Sequence, residues 1–372
     1  MSFIDALERV VQTEVVPAVQ ETDQLARFPR ATLTALGGEG LLGLLSSTEV
    51  GGMGLGLAEA CRVVERLAQE CPSTAMIVTM HYTATSLVEK YGPLDVRRAI
   101  AQGRHLTTLA WSETGSRSHF WAPAGTARPD NGEIVLDGSK SMVTSAQEAD
   151  SYIWSSLPTP AAQGASTLWL VDSRLPGLGS PKPFDGLGLR GNASAPIRAD
   201  TVRIPANAML GQDGSGYEIM VGDALPFFAT LVASSSIGLM DSVLARATTH
   251  ITASRFAESG SSLAELPTIR AYLARARLRA DQARTLRDDT LGAMGAARAD
   301  AMLRVLEVKA AAAEAALEVT DIAMRICGGA AFRREVGVER LFRDARAASI
   351  MAPTSDVLYE FIGRALCDMP LA

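Results

Sequence analysis

The residues best suited to chemistry lie near the C-terminus, in the stretch Val336 to Gly363, VGVERLFRDARAASIMAPTSDVLYEFIG. A charged cluster (Glu339, Arg340, Arg343, Asp344, Arg346) precedes a Pro-Thr-Ser-Asp turn, and an apolar helical pattern starts at Val357, so the stretch reads as helix, loop, helix. Thr354 or Ser355 suits an N-cap, because a hydroxyl there accepts from orphan amides and Pro353 stops a helix arriving from upstream. The loop is thereby held at a helix N-terminus, where amides and the dipole favour an anion such as a pyrophosphate. Asp356, in the first turn, is a charge that the same dipole favours.

The scaffold for such a site has to come from the whole chain. With 372 residues, 47% hydrophobic and 20% charged, it can bury a large core and has room for two or three domains. A net charge of -6 leaves no basic footprint for nucleic acid and no polybasic patch for a membrane surface. The N-terminus lacks an apolar core after a basic start, and no run is expected to reach the ~18 apolar residues of a membrane span. Cys61, Cys71, Cys327 and Cys367 are too scattered for a metal site and sit in apolar helical sequence, which predicts buried free thiols and no metal. A cytoplasmic location is the corresponding expectation.

Periodicity divides the chain in three. Residues 1–104 read as helical: Leu33, Leu36, Leu41 and Leu44 recur at helical spacing, as do Ala58, Cys61, Val64 and Leu67. The glycine-rich turn Glu49 to Gly56 follows no strand and lacks G-x-G-x-x-G spacing, so it predicts a structural turn and not a dinucleotide site. Residues 105–211 carry short β-rich runs (Thr107 to Trp111, Gly132 to Leu136, Tyr152 to Ser156, Thr167 to Val171, Ala199 to Ile204), with Asn131-Gly132 as a hairpin turn. Residues 212–372 return to the helical period, with Leu303, Leu306, Ala310, Ala313, Leu317 and Met324 along one long helix. The alanines from Ala310 to Ala316 let helices approach closely, as a bundle requires.

The C-terminal stretch resembles the signature of the acyl-CoA dehydrogenase family, a VER-x-x-RDA run leading to a Tyr-Glu-Gly-Thr-Ser-Glu loop with the catalytic glutamate. Val338, Glu339, Arg340, Arg343, Asp344, Ala345, Ile350, Thr354 and Ser355 fit, while Met351, Ala352 and Pro353 replace Tyr, Glu and Gly. The resemblance implies an α+β fold with an N-terminal helical domain, a central small β-barrel domain and a C-terminal four-helix bundle. It also implies FAD. Trp111 to His119 is similar to the family's Thr-Glu-Pro-x-Ala-Gly-Ser-Asp segment at Ser112, Glu113 and Ser118, which gives Ser112 a flavin role and Arg117 and Ser118 a place along the substrate path. Gly138 to Ala146 is similar to Asn-Gly-x-Lys-x-Trp-Ile-Thr-Asn-Ala, with Thr144 at the residue facing flavin N5 and O4 and Met142 for the shielding tryptophan. Gly188-Leu189-Arg190-Gly191-Asn192 matches a stretch that closes the β domain. Arg325-Ile326-Cys327-Gly328-Gly329 resembles the turn through which a neighbouring subunit meets the adenosine half of FAD, and Arg255 stands for the arginine that grips the pyrophosphate. A homo-oligomer, dimer or tetramer, follows from that sharing of FAD.

With Ala352 at the glutamate position, the base must lie elsewhere. Phe228 occupies the alternative position that some relatives use on the first bundle helix. The remaining candidates are Asp356, Glu360, Glu113 and His81, the last on a helix where family members of the flavin monooxygenase type also carry a histidine. Three readings stay open. One is an acyl-thioester dehydrogenase with a relocated base. Another is a monooxygenase of the same fold. The third is a non-catalytic subunit of a hetero-oligomer. The corresponding partners are an acyl thioester and an electron-transfer flavoprotein or flavin reductase.

Overall fold

Ser2 opens the first helix by capping it: its hydroxyl accepts the Ile4 amide and Asp5 answers the Ser2 amide. A computed structural model of the chain describes residues 2–115 and 119–370. Arg117 and Ser118, expected along the substrate path, lie outside the described residues. Six helices come first: α1 (Phe3–Val10), α2 (Val16–Gln24), α3 (Arg30–Gly38), α4 (Leu57–Glu70), α5 (Pro72–Tyr91) and α6 (Leu94–Ala101). Eight strands follow: β1 (Thr107–Ala110), β2 (Thr126–Asp130), β3 (Glu133–Val143), β4 (Ser151–Ser156), β5 (Thr167–Asp172), β6 (Leu178–Gly179), β7 (Ala195–Pro205) and β8 (Met209–Leu210). Helix then returns as α7 (Gly216–Ile219), α8 (Leu225–Ala253), α9 (Pro267–Gly295), α10 (Ala301–Cys327), α11 (Val338–Ile350) and α12 (Ser355–Leu366). The expected order of helical, β and helical domains is the order found.

These elements group into two compact units: Met1–Ala60, Met76–Asp185 and Arg190–Phe228 in the first, and Cys61–Ala75, Gly186–Leu189 and Ala229–Ala372 in the second. In the first unit the strands form two four-stranded sheets, ordered β1-β4-β5-β8 and β2-β3-β7-β6. Only β1 with β4 is parallel among the named pairings. Side chains of both sheets share one core around Tyr152, Trp154, Trp169, Leu136, Ile197 and Val202. The hairpin at Asn131-Gly132 forms as expected: Asp130 pairs with Glu133, and the two turn residues take φ 53° and 86°. In the glycine-rich turn, a Cβ on Gly52 would lie 2.2 Å from the Ser46 carbonyl, so close backbone packing dictates that glycine.

In the second unit α10 packs on α9, α11 and α12. Its alanines Ala310, Ala312, Ala313 and Ala316 are buried, as the close approach of helices requires. Two expectations need correction. One continuous helix, Gly216–Ala253, is long and apolar enough to cross a membrane by length and composition, with 89% of its most apolar window buried inside the protein. Serines at 234 to 236 interrupt its apolar run without lowering the average enough, so the sequence reading missed it. Cys61, Cys71 and Cys327 are buried free thiols, whereas Cys367 is exposed beyond the last helix.

Candidate active site

The two β-domain segments expected to cradle a flavin are neighbours in the first unit. The Ser141 amide donates to the Ser112 carbonyl at 2.8 Å, and Glu113 and Lys140 form a bridge beside it. Under that bridge lies an ion pair with little or no exposure. Lys140 Nζ donates to Glu113 Oε1 (2.6 Å), the Ser155 carbonyl (2.7 Å) and Ser155 Oγ (2.8 Å), while Glu113 also accepts the amides of Ala124 and Gly125. Desolvation pushes the Lys140 ammonium down to about 8, against the pull of the Glu113 carboxylate. The pair ties the strand end to the 111–115 segment. Above it, Met142 is 60% exposed and Thr144 is buried. No hydrogen bond among the described residues engages the hydroxyls of Ser112 and Thr144.

In the second unit the charged C-terminal cluster turns out to be structural. Asp344 accepts the Leu189 amide at 2.6 Å, Arg343 donates to the Leu187 carbonyl and pairs with Glu339, and Arg340 donates to the Glu70 carbonyl. Gly188 lies so close that a Cβ there would stand 2.5 Å from the Arg343 carbonyl. Helix α11 is thus pinned before the loop begins. Thr354 caps α12 as expected, its hydroxyl accepting the Val357 amide at 3.3 Å. Between the two helices Ala352 is half-buried. The loop rests on a residue that the sequence reading passed over. Lys309, fully buried on α10, donates from Nζ to the carbonyls of Ala348 (2.9 Å), Met351 (3.1 Å) and Pro353 (2.8 Å). Burial pushes its ammonium down to about 7, while each charge-assisted bond to a carbonyl contributes about 1.5–3 kcal/mol.

Three domain descriptions match in the order of the elements. They are Acyl-CoA dehydrogenase, N-terminal domain, over residues 1–102; the middle domain over 108–202; and the C-terminal domain over 214–367. The chain belongs to the acyl-CoA dehydrogenase family. The short-chain specific acyl-CoA dehydrogenase of Homo sapiens mitochondria is 29% identical over 353 residues, spanning 93% of this chain and 84% of the relative. The cyclohex-1-ene-1-carbonyl-CoA dehydrogenase of Geobacter metallireducens is 25% identical, spanning 98% and 96%. The butyryl-CoA dehydrogenase structure from Megasphaera elsdenii, 21% identical, superposes with a TM-score of 0.91 over 98% of this chain and 97% of that one. This acyl-CoA dehydrogenase-like chain is accordingly an FAD-dependent oxidoreductase of the class acting on CH–CH groups.

The residues present fit FAD. The first unit offers the unengaged hydroxyls of Ser112 and Thr144, and in the second Ser355 Oγ is buried at the start of α12 with no partner among the described residues. Hydroxyls and helix N-terminal amides are the donors that a carbonyl-bearing ring and a pyrophosphate call for. Gly328 ends α10 with φ 55°, and both it and Gly329 are exposed with open space around a would-be Cβ. Arg255 is exposed and donates to the Gly260 carbonyl at 2.9 Å.

The candidate bases fare unequally. His81 is fully buried: its Nε2 faces the Leu42 carbonyl at 3.0 Å and its Nδ1 accepts the Thr107 amide at 3.2 Å, which fixes a neutral ring with hydrogen on Nε2. Burial pushes its pKa down to about 4. The expectation of a proton-transfer histidine therefore gives way to a core histidine, because both nitrogens are spent on backbone groups. Glu113 is committed to Lys140, and Glu360 pairs with Arg364 at 2.7 Å. Asp356 is exposed in the first turn of α12, and no hydrogen bond or ion pair among the described residues engages it.

Proposed function

We propose that this protein dehydrogenates an acyl thioester, on CoA or a carrier protein, between Cα and Cβ, and that it does so without the glutamate at the usual loop position. The observation carrying this reading is the helix–loop–helix of α11 and α12, with Ala352 in the loop and the matching residues on both sides. A methyl group takes no proton, so the base is another residue, and Asp356 is our assignment. It is the one carboxylate of the candidate set that no other side chain holds among the described residues. The dipole of α12 favours a negative charge there.

Bound FAD supplies the acceptor for the hydride that leaves the β-carbon. The chain's own part is to hold, orient and deprotonate. Ser112, Met142 and Thr144 hold the ring side, Thr354 is a further cofactor-binding residue, and Arg255, Gly328 and Gly329 of a neighbouring copy complete the adenosine half. That sharing makes the working form a dimer or tetramer, with reoxidation by an electron-transfer flavoprotein. The monooxygenase alternative draws on Ala352, Phe228 and His81; both His81 nitrogens face backbone groups, and the other two residues still stand behind it.

The test is an anaerobic titration of the yellow, FAD-loaded protein with a panel of acyl-CoAs. At least one should bleach the flavin, and Asp356→Asn should slow that bleaching by about 10²-fold or more. Ala352→Glu should bleach at least as fast as the parent. If no thioester bleaches the protein while chemically reduced enzyme consumes oxygen and modifies a substrate, the dehydrogenase reading is wrong.

A further inference from the structure

We propose that Lys309 is the positioning residue of the α11–α12 loop, fixing where residue 352 and the Thr354 cap stand whatever side chain occupies position 352. The geometry is specific. An ammonium carries three N–H donors, and three carbonyls lie within 3.1 Å of Lys309 Nζ. Ala348 offers one of the carbonyls that the last turn of a helix leaves without an intrahelical partner. Met351 and Pro353 flank Ala352 on its two sides, so one cation holds the peptide plane that enters Ala352 and the plane that joins Pro353 to Thr354. A lysine buried to 0% exposure on an otherwise apolar helix face is costly, and a leucine or methionine would fill the space without that cost. Its fit to the loop carbonyls is what the lysine adds over such a residue.

A residue that only stabilised the fold would protect the whole second unit evenly. A positioning residue acts locally. It should also affect the rate with a bound thioester more than thioester binding, because a displaced loop misplaces groups at the reacting carbons without removing the pocket. This kinetic arm rests on the dehydrogenase reading, whereas the structural arm does not.

The experiment uses full-length, FAD-loaded protein and Lys309→Met, compared by amide hydrogen exchange and by stopped-flow bleaching with whichever acyl-CoA reduces the parent. We expect the amides of residues 351, 352 and 354–358 to exchange about tenfold faster or more while those of α9 keep their protection. The bleaching rate should fall about tenfold with the thioester dissociation constant within about twofold of the parent. Unchanged exchange at 351–358, or equal acceleration throughout α9 and α10, would overturn the proposal. Should Lys309→Met fail to fold, Lys309→Arg gives the same readout, since a planar fork cannot match three convergent carbonyls: local acceleration at 351–358 supports the proposal and an even pattern overturns it. If no thioester bleaches the parent, the reaction assigned above fails while the exchange result still decides the role of Lys309.

Discussion

At the scale of single residues, the buried polar groups separate structure from chemistry. His81 is neutral in the fold with a pKa near 4, against 6.5 when solvated. The unfolded chain therefore binds a proton that the native state refuses, so the stability from this residue is complete above pH 6.5 and drains away as pH falls from 6.5 towards 4. The loss amounts to about 3 kcal/mol across that window. His81→Gln should be less stable than the parent at pH 7.5, yet lose less on acidification. Denaturant melts of both proteins at pH 7.5 and 5 will show it, and equal pH sensitivity would refute the neutral core histidine. Lys309 shows the limit of reading residues singly. A lysine among alanines suggests a solvated position, but Leu306, Lys309, Ala313 and Ala316 share the buried face of α10 at helical spacing, and that break in an apolar stripe was the available signal.

At the scale of elements, what was legible is what is local. The Asn131-Gly132 hairpin announces itself because only a few residue types tolerate positive φ at both central positions. Gly132→Ala should cost about 1 kcal/mol at φ 86° with nothing else within reach of the new methyl, a shift of a few degrees in melting temperature. The partner strand β2 was missed. Its TARPD sequence contains a proline and mostly exposed residues, and it becomes a strand only by pairing with β3. Long-range packing likewise hid the reason for Gly188. Its Cα rests on α11, and Gly188→Ala should cost about 1–3 kcal/mol and loosen α11, measurable as a lower denaturant midpoint. An unchanged midpoint would mean that the contact relaxes freely.

At the scale of the whole molecule, the second unit exposes several large apolar side chains, among them Phe332 at 81% and Leu278 at 62%. Phe332 stands three residues after Gly329, so the exposed ring and the glycines proposed to reach a neighbouring copy's cofactor are close in sequence. Phe332→Asp should shift the protein towards smaller species in light scattering and weaken FAD retention together. Loss of one without the other would separate assembly from cofactor sharing. All four tryptophans of the chain, Trp111, Trp121, Trp154 and Trp169, belong to the first unit, and Trp154 and Trp169 are wholly enclosed in its sheet core. Emission excited at the red edge, where tryptophan absorbs and the tyrosines Tyr272 and Tyr359 of the second unit do not, is consequently a private channel of the first unit. Its red shift during denaturation will register water entering the sheets, while melting of the helices around Lys309 is followed by far-ultraviolet dichroism.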